Sequence, residues 1–280
     1  MSASTPIPDG VGLNLRLRYL DTILERRPAE AAFWEVIAEN LFDRPQALER
    51  VKTIRHHRPI ALHCVGMNLA GTDPISKPYL TRIRHLIAEL DPFLVSDHLC
   101  WQTHGNISHH DLLPFPLTAT NTRHVAARIH TVQEILGRPI AIENLTTYVA
   151  FRTSTEREED LLNTLASATG CGVILDLNNI ALNAHNLGQS DTHRYLERLD
   201  LRHVVEVHIA GPEPTPDGVL IDTHSSLPTP LQLDLVTQHP ILRTLPVCYE
   251  RDQQLPPLEE SLKLVDRLNL RRTSMQQEAV

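Results

Sequence analysis

The sequence predicts an α/β chain of the (β/α)₈ barrel (TIM barrel) class, on three observations. Eight short apolar, β-branched runs recur along its 280 residues. Segments with helical spacing lie between them, and strands alternating with helices build a parallel sheet. Acids and histidines stand where the runs stop, and in a closed barrel the strand C-termini converge on one rim. The length suits one such barrel at residues 11–270, with a polar tail at 1–10 and a flexible polar tail at 271–280.

The strand-like runs are 11–15, 33–37, 60–65, 93–97, 139–143, 172–176, 204–209 and 246–250. Leu48, Val51 and Ile54 form a helical stripe after the second run, and Leu80, Ile83, Leu86, Ile87 and Leu90 form one after the third. Val125, Ile129, Val132 and Leu136 follow the fourth. Leu161, Leu162, Leu165 and Ala168 follow the fifth, with Gly170 as the expected C-cap. Ser154-Thr155-Glu156 reads as that helix's start. Leu258, Leu262, Val265 and Leu268 form the last stripe. Two connections are long, 101–118 and 211–227, and both leave the polar rim, which favours function over disorder.

Composition narrows the function. A net charge of −8 with no basic run argues against nucleic acid. Nothing resembles a signal peptide or a membrane span, so a soluble cytoplasmic protein is expected. Cys64, Cys100, Cys171 and Cys248 are far apart with no C-x-x-C pair, and read as buried reduced thiols. Sixteen histidines are many. His56, His57, His85, His124, His130, His193, His203 and His239 fall in helix-like or connecting stretches and read as solvated.

The remaining polar residues form a constellation. His63, His98, Glu143, Asp176, His208 and Glu250 stand at six of eight strand ends. Strand side chains alternate faces, so Ala141 and Glu143, Ile174 and Asp176, and Glu206 and His208 share faces and aim at one axis. Asn179 lies just past Asp176, and the seventh loop adds Asp222 and His224. A lone strand-end histidine is more often a satisfied core residue than a ligand, but six such positions together read as a metal site. Buried acids and imidazoles at one spot need a cation to hold them. Imidazole and carboxylate without thiolate suit Fe, Mn, Zn or Co. The donors exceed what one ion accepts, and Glu143 is placed to bridge two. Asp97 should face away from His98 and serve to orient a ligand or cap a turn. Glu206 sits one layer below His208, as ligand or as buried support. Glu35, Glu39 and Asn40 close the second strand, with Glu39 and Asn40 placed for substrate or supporting contacts. His110 and Asp111 suggest an ordered loop over the site, whereas His104 and His109 read as solvent-facing.

These residues lie in segments that resemble one family. The segments are Gly12-Leu13-Asn14, Trp34-Glu35-Val36-Ile37-Ala38-Glu39-Asn40, Leu62-His63-Cys64-Val65-Gly66-Met67 and Val95-Ser96-Asp97-His98-Leu99-Cys100-Trp101. His110-Asp111-Leu112-Leu113-Pro114, Ile142-Glu143-Asn144, Thr169-Gly170-Cys171-Gly172, Leu175-Asp176-Leu177-Asn178-Asn179, His208-Ile209-Ala210-Gly211 and Ile221-Asp222-Thr223-His224 follow in order. Over roughly residues 9 to 268 the chain is similar to DUF692 (UPF0276) proteins, the multinuclear non-haem iron-dependent oxidative enzymes. The resemblance implies a (β/α)₈ barrel holding two or three irons in a mixed-valent state, with O₂ as co-substrate. It implies that His63, His98 and Glu143 hold one iron, and that Glu143 bridges to a second held by Asp176, His208 and Glu250. Asn179, Asp222 and His224 would hold a third. Glu143, Asp176 and His208 are the implied catalytic residues, with Asn144 nearby in a supporting or substrate role.

The implied reaction is oxidation of cysteine in a ribosomally synthesised precursor peptide, with a separate partner protein binding the leader. Arg251 stands where many members carry Trp, Thr146-Thr147 where Ser-Ser is common, and Ser225-Ser226 where an acid is frequent. No ligand position is lost, so these departures bear on substrate choice. Two other readings are a divalent-metal isomerase or phosphodiesterase (endonuclease) on a similar barrel, and a metal-binding scaffold without catalysis. O₂-reactive iron separates the first reading from both.

Overall fold

Each of the eight expected runs overlaps a barrel strand. The computed structural model describes residues 6–105 and 107–277. In chain order the elements are β1 (Val11–Asn14), α1 (Leu20–Arg26), β2 (Trp34–Ile37), α2 (Pro45–Arg55), β3 (Ile60–Cys64), α3 (Lys77–Leu90) and β4 (Leu94–His98). The middle of the chain forms β5 (Trp101–His104), β6 (Ile107–Leu113), α4 (Ala119–Leu136), β7 (Ala141–Glu143), α5 (Glu158–Thr169), β8 (Gly172–Asp176), α6 (Leu177–Leu187) and α7 (Thr192–Arg198). It ends with β9 (Val204–Ile209), β10 (Gly211–Pro214), β11 (Leu220–Ser226), α8 (Pro230–Gln238), β12 (Val247–Tyr249) and α9 (Leu258–Gln277). Strands β1, β2, β3, β4, β7, β8, β9 and β12 close into a parallel barrel in that cyclic order. No helix is long and apolar enough to cross a membrane among the described residues.

The helical stripes pack as their spacing requires. Those of α2, α4 and α9 are fully buried, and Ile87 is the one half-buried member of the α3 stripe. In α5 the buried alanine is Ala166, not Ala168, because Ala166 lies one turn from Leu162 on the same face. That helix starts at Glu158, later than Ser154-Thr155-Glu156 suggested, because the Ser154 hydroxyl accepts from Leu117 N (3.0 Å) across the loop instead of capping the helix. Gly170 caps it with φ +69° and donates to Ala166 O.

Three further differences matter. Each long connection folds into an antiparallel hairpin, β5–β6 after β4 and β10–β11 after β9. The β10–β11 turn uses Gly218 at φ +89°, a conformation glycine adopts freely. Thirdly, the stretch from Arg271, expected as a frayed tail, continues α9 as far as Gln277. Arg272 is buried and donates to Val236 O and Leu245 O, which ties that turn to the barrel. Residues 1–5 and 278–280 of the expected tails lie outside the described residues, as does residue 106.

The barrel interior is stacked in layers, as alternation in eight tilted strands demands. Phe33, Ala61, Phe93 and Cys248 form their own apolar cluster, with Phe33 and Phe93 edge-to-face at 5.2 Å. Ala61 and Cys248 lie two residues before His63 and Glu250 and share their faces, and Phe33 lies two before Glu35. An apolar plug therefore underlies a polar layer. Gly12 belongs to this plug, since a Cβ there would stand 2.7 Å from the Phe33 ring. Gly12→Ala is expected to destabilise the protein by about 1–3 kcal/mol through overpacking, read as a lower urea midpoint. An unchanged midpoint would show that Phe33 yields without cost.

Candidate metal centre

Above the plug, strand ends deliver donors to a common point. Glu143 ends β7 and is directly in register with His98 of β4. His208 of β9 is in register with Asp176 of β8 and with Cys248 of β12. Glu143 Oε2 lies 3.3 Å from His63 Nε2 and 3.5 Å from His98 Nε2, and the two imidazole nitrogens are 3.4 Å apart. Its other oxygen, Oε1, lies 3.4 Å from His208 Nδ1. His208 Nδ1 is also 3.2 Å from Glu250 Oε2. One donor atom from each of Glu143, Asp176, His208 and Glu250 lies within 4.8 Å of the others, and the same holds for His63, His98 and Glu143.

A third group sits beside these. His224 Nε2 is 2.8 Å from Asp222 Oδ1, and its Nδ1 is 3.7 Å from Glu250 Oε2 and 3.5 Å from Asp252 Oδ2. His224 holds φ +47°, an uncommon value for a non-glycine residue. Asn178, not Asn179, meets Asp222, donating from Nδ2 at 2.8 Å. Asn179 turns the other way. Its Oδ1 accepts from the Thr146 hydroxyl and its Nδ2 donates to Asn144 O.

The surrounding residues hold backbone rather than touch the centre. Asn144 brackets Asp176, accepting from its N–H and donating to its carbonyl. Asp176 Oδ1 caps α6 by accepting from Asn179 N (2.6 Å), which leaves Oδ2 without a partner. Asp97 faces away from the cluster, as expected, and accepts from Met67 N and His98 N. Glu39 is taken up by Val65 N and the Tyr79 hydroxyl, and Asn40 is half-buried in the same turn. Arg251 donates to Gln254 O, while its backbone is locked to the Asn14 carboxamide. His110 and Asp111 lie on exposed β6, where no described contact joins them to the cluster. His104 and His109 are exposed too. All four cysteines are free and buried, and burial pushes their thiols up.

Glu35 and Glu206 carry more weight than their sequence context signalled. Both are buried, neither carboxylate has a hydrogen-bond partner, and they group with His208 and Cys248 directly beneath the centre. The signal was there in the period of two, since Glu206 shares a face with His208.

The electrostatics are those of an anionic pocket filled with protons. Burial alone would raise Glu143, but His208, His98 and His63 outweigh it and hold the carboxyl at about 2. Burial lowers His98 to about 4 despite Glu143. Burial also presses down on His224, yet Glu250, Asp222 and Asp176 together lift it to about 9. His208 is raised well above its usual value against its own burial by Glu35, Glu250 and Glu143. Burial, then the Glu143 charge, pushes Asp176 well up. Glu143 Oε2, Asp176 Oδ2, both nitrogens of His208 and Nδ1 of His224 are buried without a hydrogen-bond partner. Hard oxygens and imidazoles orphaned in this way fit a divalent or trivalent transition-metal ion, and more than one of them.

The sequence profile described as RiPP precursor modification enzyme MbnB/TglH/ChrH matches residues 10–272. A UPF0276 protein of Rhizorhabdus wittichii is 38% identical over 267 residues, covering 93% of each chain. Among solved structures, the 3-keto-D-glucoside 4-epimerase YcjR from E. coli aligns with a TM-score of 0.58 and 15% identity, over 93% of this chain and 98% of that one. A D-tagatose 3-epimerase-like protein aligns with a TM-score of 0.61 and 13% identity, over 97% and 100%. At such identities the two structures show the barrel fold alone.

Ligands must shed protons before they bind a metal. With His208 and His224 both raised, loading the metal-free protein with a divalent cation at pH 8 is expected to release protons. Affinity should fall as pH drops from 9 towards 6. Calorimetry in two buffers of different ionisation enthalpy reads the count, and His224→Gln should lower it by about one. Metal uptake with no proton release would contradict these protonation states.

Proposed function

The chain belongs to the RiPP precursor modification enzymes of the MbnB/TglH/ChrH family, and on that premise we propose a multinuclear non-haem iron enzyme. It uses O₂ to oxidise a cysteine in a ribosomally made precursor peptide. The observation that carries this reading is the disposition of Glu143. One of its oxygens faces His63 and His98, and the other faces His208. A carboxylate shared in this way serves two adjacent cations better than one.

His63, His98 and Glu143 would hold one ion, and Glu143, Asp176, His208 and Glu250 a second. Asp222 and His224 would hold a third, with Asn179 joining after its carboxamide leaves Thr146. Bound there, iron would supply a seat for the substrate thiolate and one-electron chemistry toward O₂. The chain's own part is geometry and exclusion of water. Asn144 fixes the Asp176 backbone, and Asp97 fixes that of His98. The carboxylates are sealed below by the Phe33–Phe93 plug. Asp222, His98 and His224 are the most open members, with side chains 23%, 13% and 12% exposed, so the cysteine enters on their side. A separate protein that grips the leader would deliver the peptide to this rim.

Glu143→Gln and His98→Ala are expected to lower iron content in anaerobically loaded protein. Both should abolish the O₂-dependent mass change of a Cys-bearing precursor encoded beside the gene. Asn179→Ala should cost less than Glu143→Gln. Full peptide oxidation by either of the first two variants would overturn the assignment, as would equal turnover without O₂.

A further inference from the structure

We propose that Glu35 is the positioning residue that makes His208 a metal ligand through Nδ1. The proposal rests on the metal centre described above and extends it to the barrel floor. The two nitrogens of His208 face opposite ways. Nδ1 points into the donor group, 3.2 Å from Glu250 Oε2 and 3.4 Å from Glu143 Oε1. Nε2 points down, 3.3 Å from Glu35 Oε2. Glu35 is 1% exposed, and neither of its oxygens has a hydrogen-bond partner.

Two of the other imidazoles, His63 and His98, also turn one nitrogen inward. His63 turns Nε2 inward, and its Nδ1 lies 2.7 Å from Ser96 Oγ. His98 turns Nε2 inward, and its Nδ1 faces Asp97 Oδ1 at 4.0 Å. Each of these rings offers one nitrogen to the centre; His63 gives its other nitrogen to Ser96, while the outer nitrogen of His98 has no hydrogen-bond partner. His208 differs from His98 in that the buried carboxylate facing its outer nitrogen is closer, at 3.3 Å rather than 4.0 Å.

The chemistry follows from the tautomer. A neutral imidazole carries one proton, and the acceptor on one nitrogen decides which nitrogen keeps a lone pair. With Glu35 Oε2 3.3 Å from Nε2 as the group that would accept the Nε2 proton, the lone pair would sit on Nδ1, where Glu143 and Glu250 converge. A carboxylate acceptor also makes the ring a stronger donor and fixes its rotation. Glu35 is itself held rigidly, because β2 is paired on both sides, with Asn14 of β1 and Ala61 of β3 as its register partners.

Zinc(II) alone serves as the probe. Chelator competition on the full-length protein should show tight binding in the wild type. In Glu35→Gln, one class of site should weaken about ten- to a hundredfold, while the class containing His63 and His98 stays unchanged. Glu35→Asp should restore part of the loss. In zinc-loaded wild-type protein, long-range ¹H–¹⁵N correlation, assigned through His208→Gln, should show the proton of His208 on Nε2. That measurement needs no folded Glu35 variant. A proton on Nδ1 would overturn the proposal. So would wild-type zinc affinity at every site of Glu35→Gln, or an equal loss at both classes, which a merely structural role predicts. A wild type that binds no zinc would instead bring down the metal centre, and this proposal with it.

Discussion

Burying several carboxylates on one axis is the constraint on which the rest of this molecule depends. Glu35, Glu143, Asp176, Glu206 and Glu250 share the barrel interior with His63 and His208, all 5% exposed or less. Moving even one unpaired carboxylate from water into a protein interior costs several kcal/mol. Without cations the balance is struck with protons. His208 and His224 are held charged, Asp176 and Glu206 are pushed towards their neutral forms, and Glu143 and Glu250 stay ionised. Metal ions would replace those protons. The fold tolerates the polar layer because eight paired strands and an apolar plug surround it, so stability and ligand supply fall to different layers of one barrel.

The strands place the donors, but the turns hold them. Four carboxamides and carboxylates at or after the strand ends are spent on backbone. Asn14 grips Arg251, Asn144 grips Asp176, Asp97 grips Met67 and His98, and Asn183 grips Leu145 and Thr147. Apart from the Asp97–His98 bond, which stays within β4, each joins segments on or following different strands. A ligand on a three-residue strand such as β7 would otherwise be free to shift, and precision at a metal centre needs such outer support.

Much of this was legible in the residues. Each apolar run marked a barrel strand because a strand buried on both faces has no polar period to obscure it. The side-chain period of two then sent Glu143, Asp176 and His208 to one axis. Less legible were the parts set by local competition. The hairpins β5–β6 and β10–β11 are short and half-exposed, so their composition resembles loop. Asn178 and Asn179 are adjacent in sequence, and only the helix they open decides which one faces Asp222. Ser154 reads as a cap until Leu117 from another loop claims its hydroxyl. Glu35 looks like one acid among several on the second strand, and its place under His208 follows only from barrel closure.

The same distinction bears on how substrates are chosen. Thr146, Thr147, Ser225 and Arg251 lie beside the donors, not among them. The Thr146 hydroxyl occupies the Asn179 carboxamide, Thr147 is tied to Asn183, and Ser225 contacts Thr223 beside His224. Arg251 fills the position after Glu250 and braces its own loop through Gln254 O. Of these contacts only that of Thr146 engages a proposed ligand, Asn179; none engages a donor at a strand end. Loops on a rigid barrel can therefore vary the peptide accepted while the strand ends keep the charge arrangement that the interior demands.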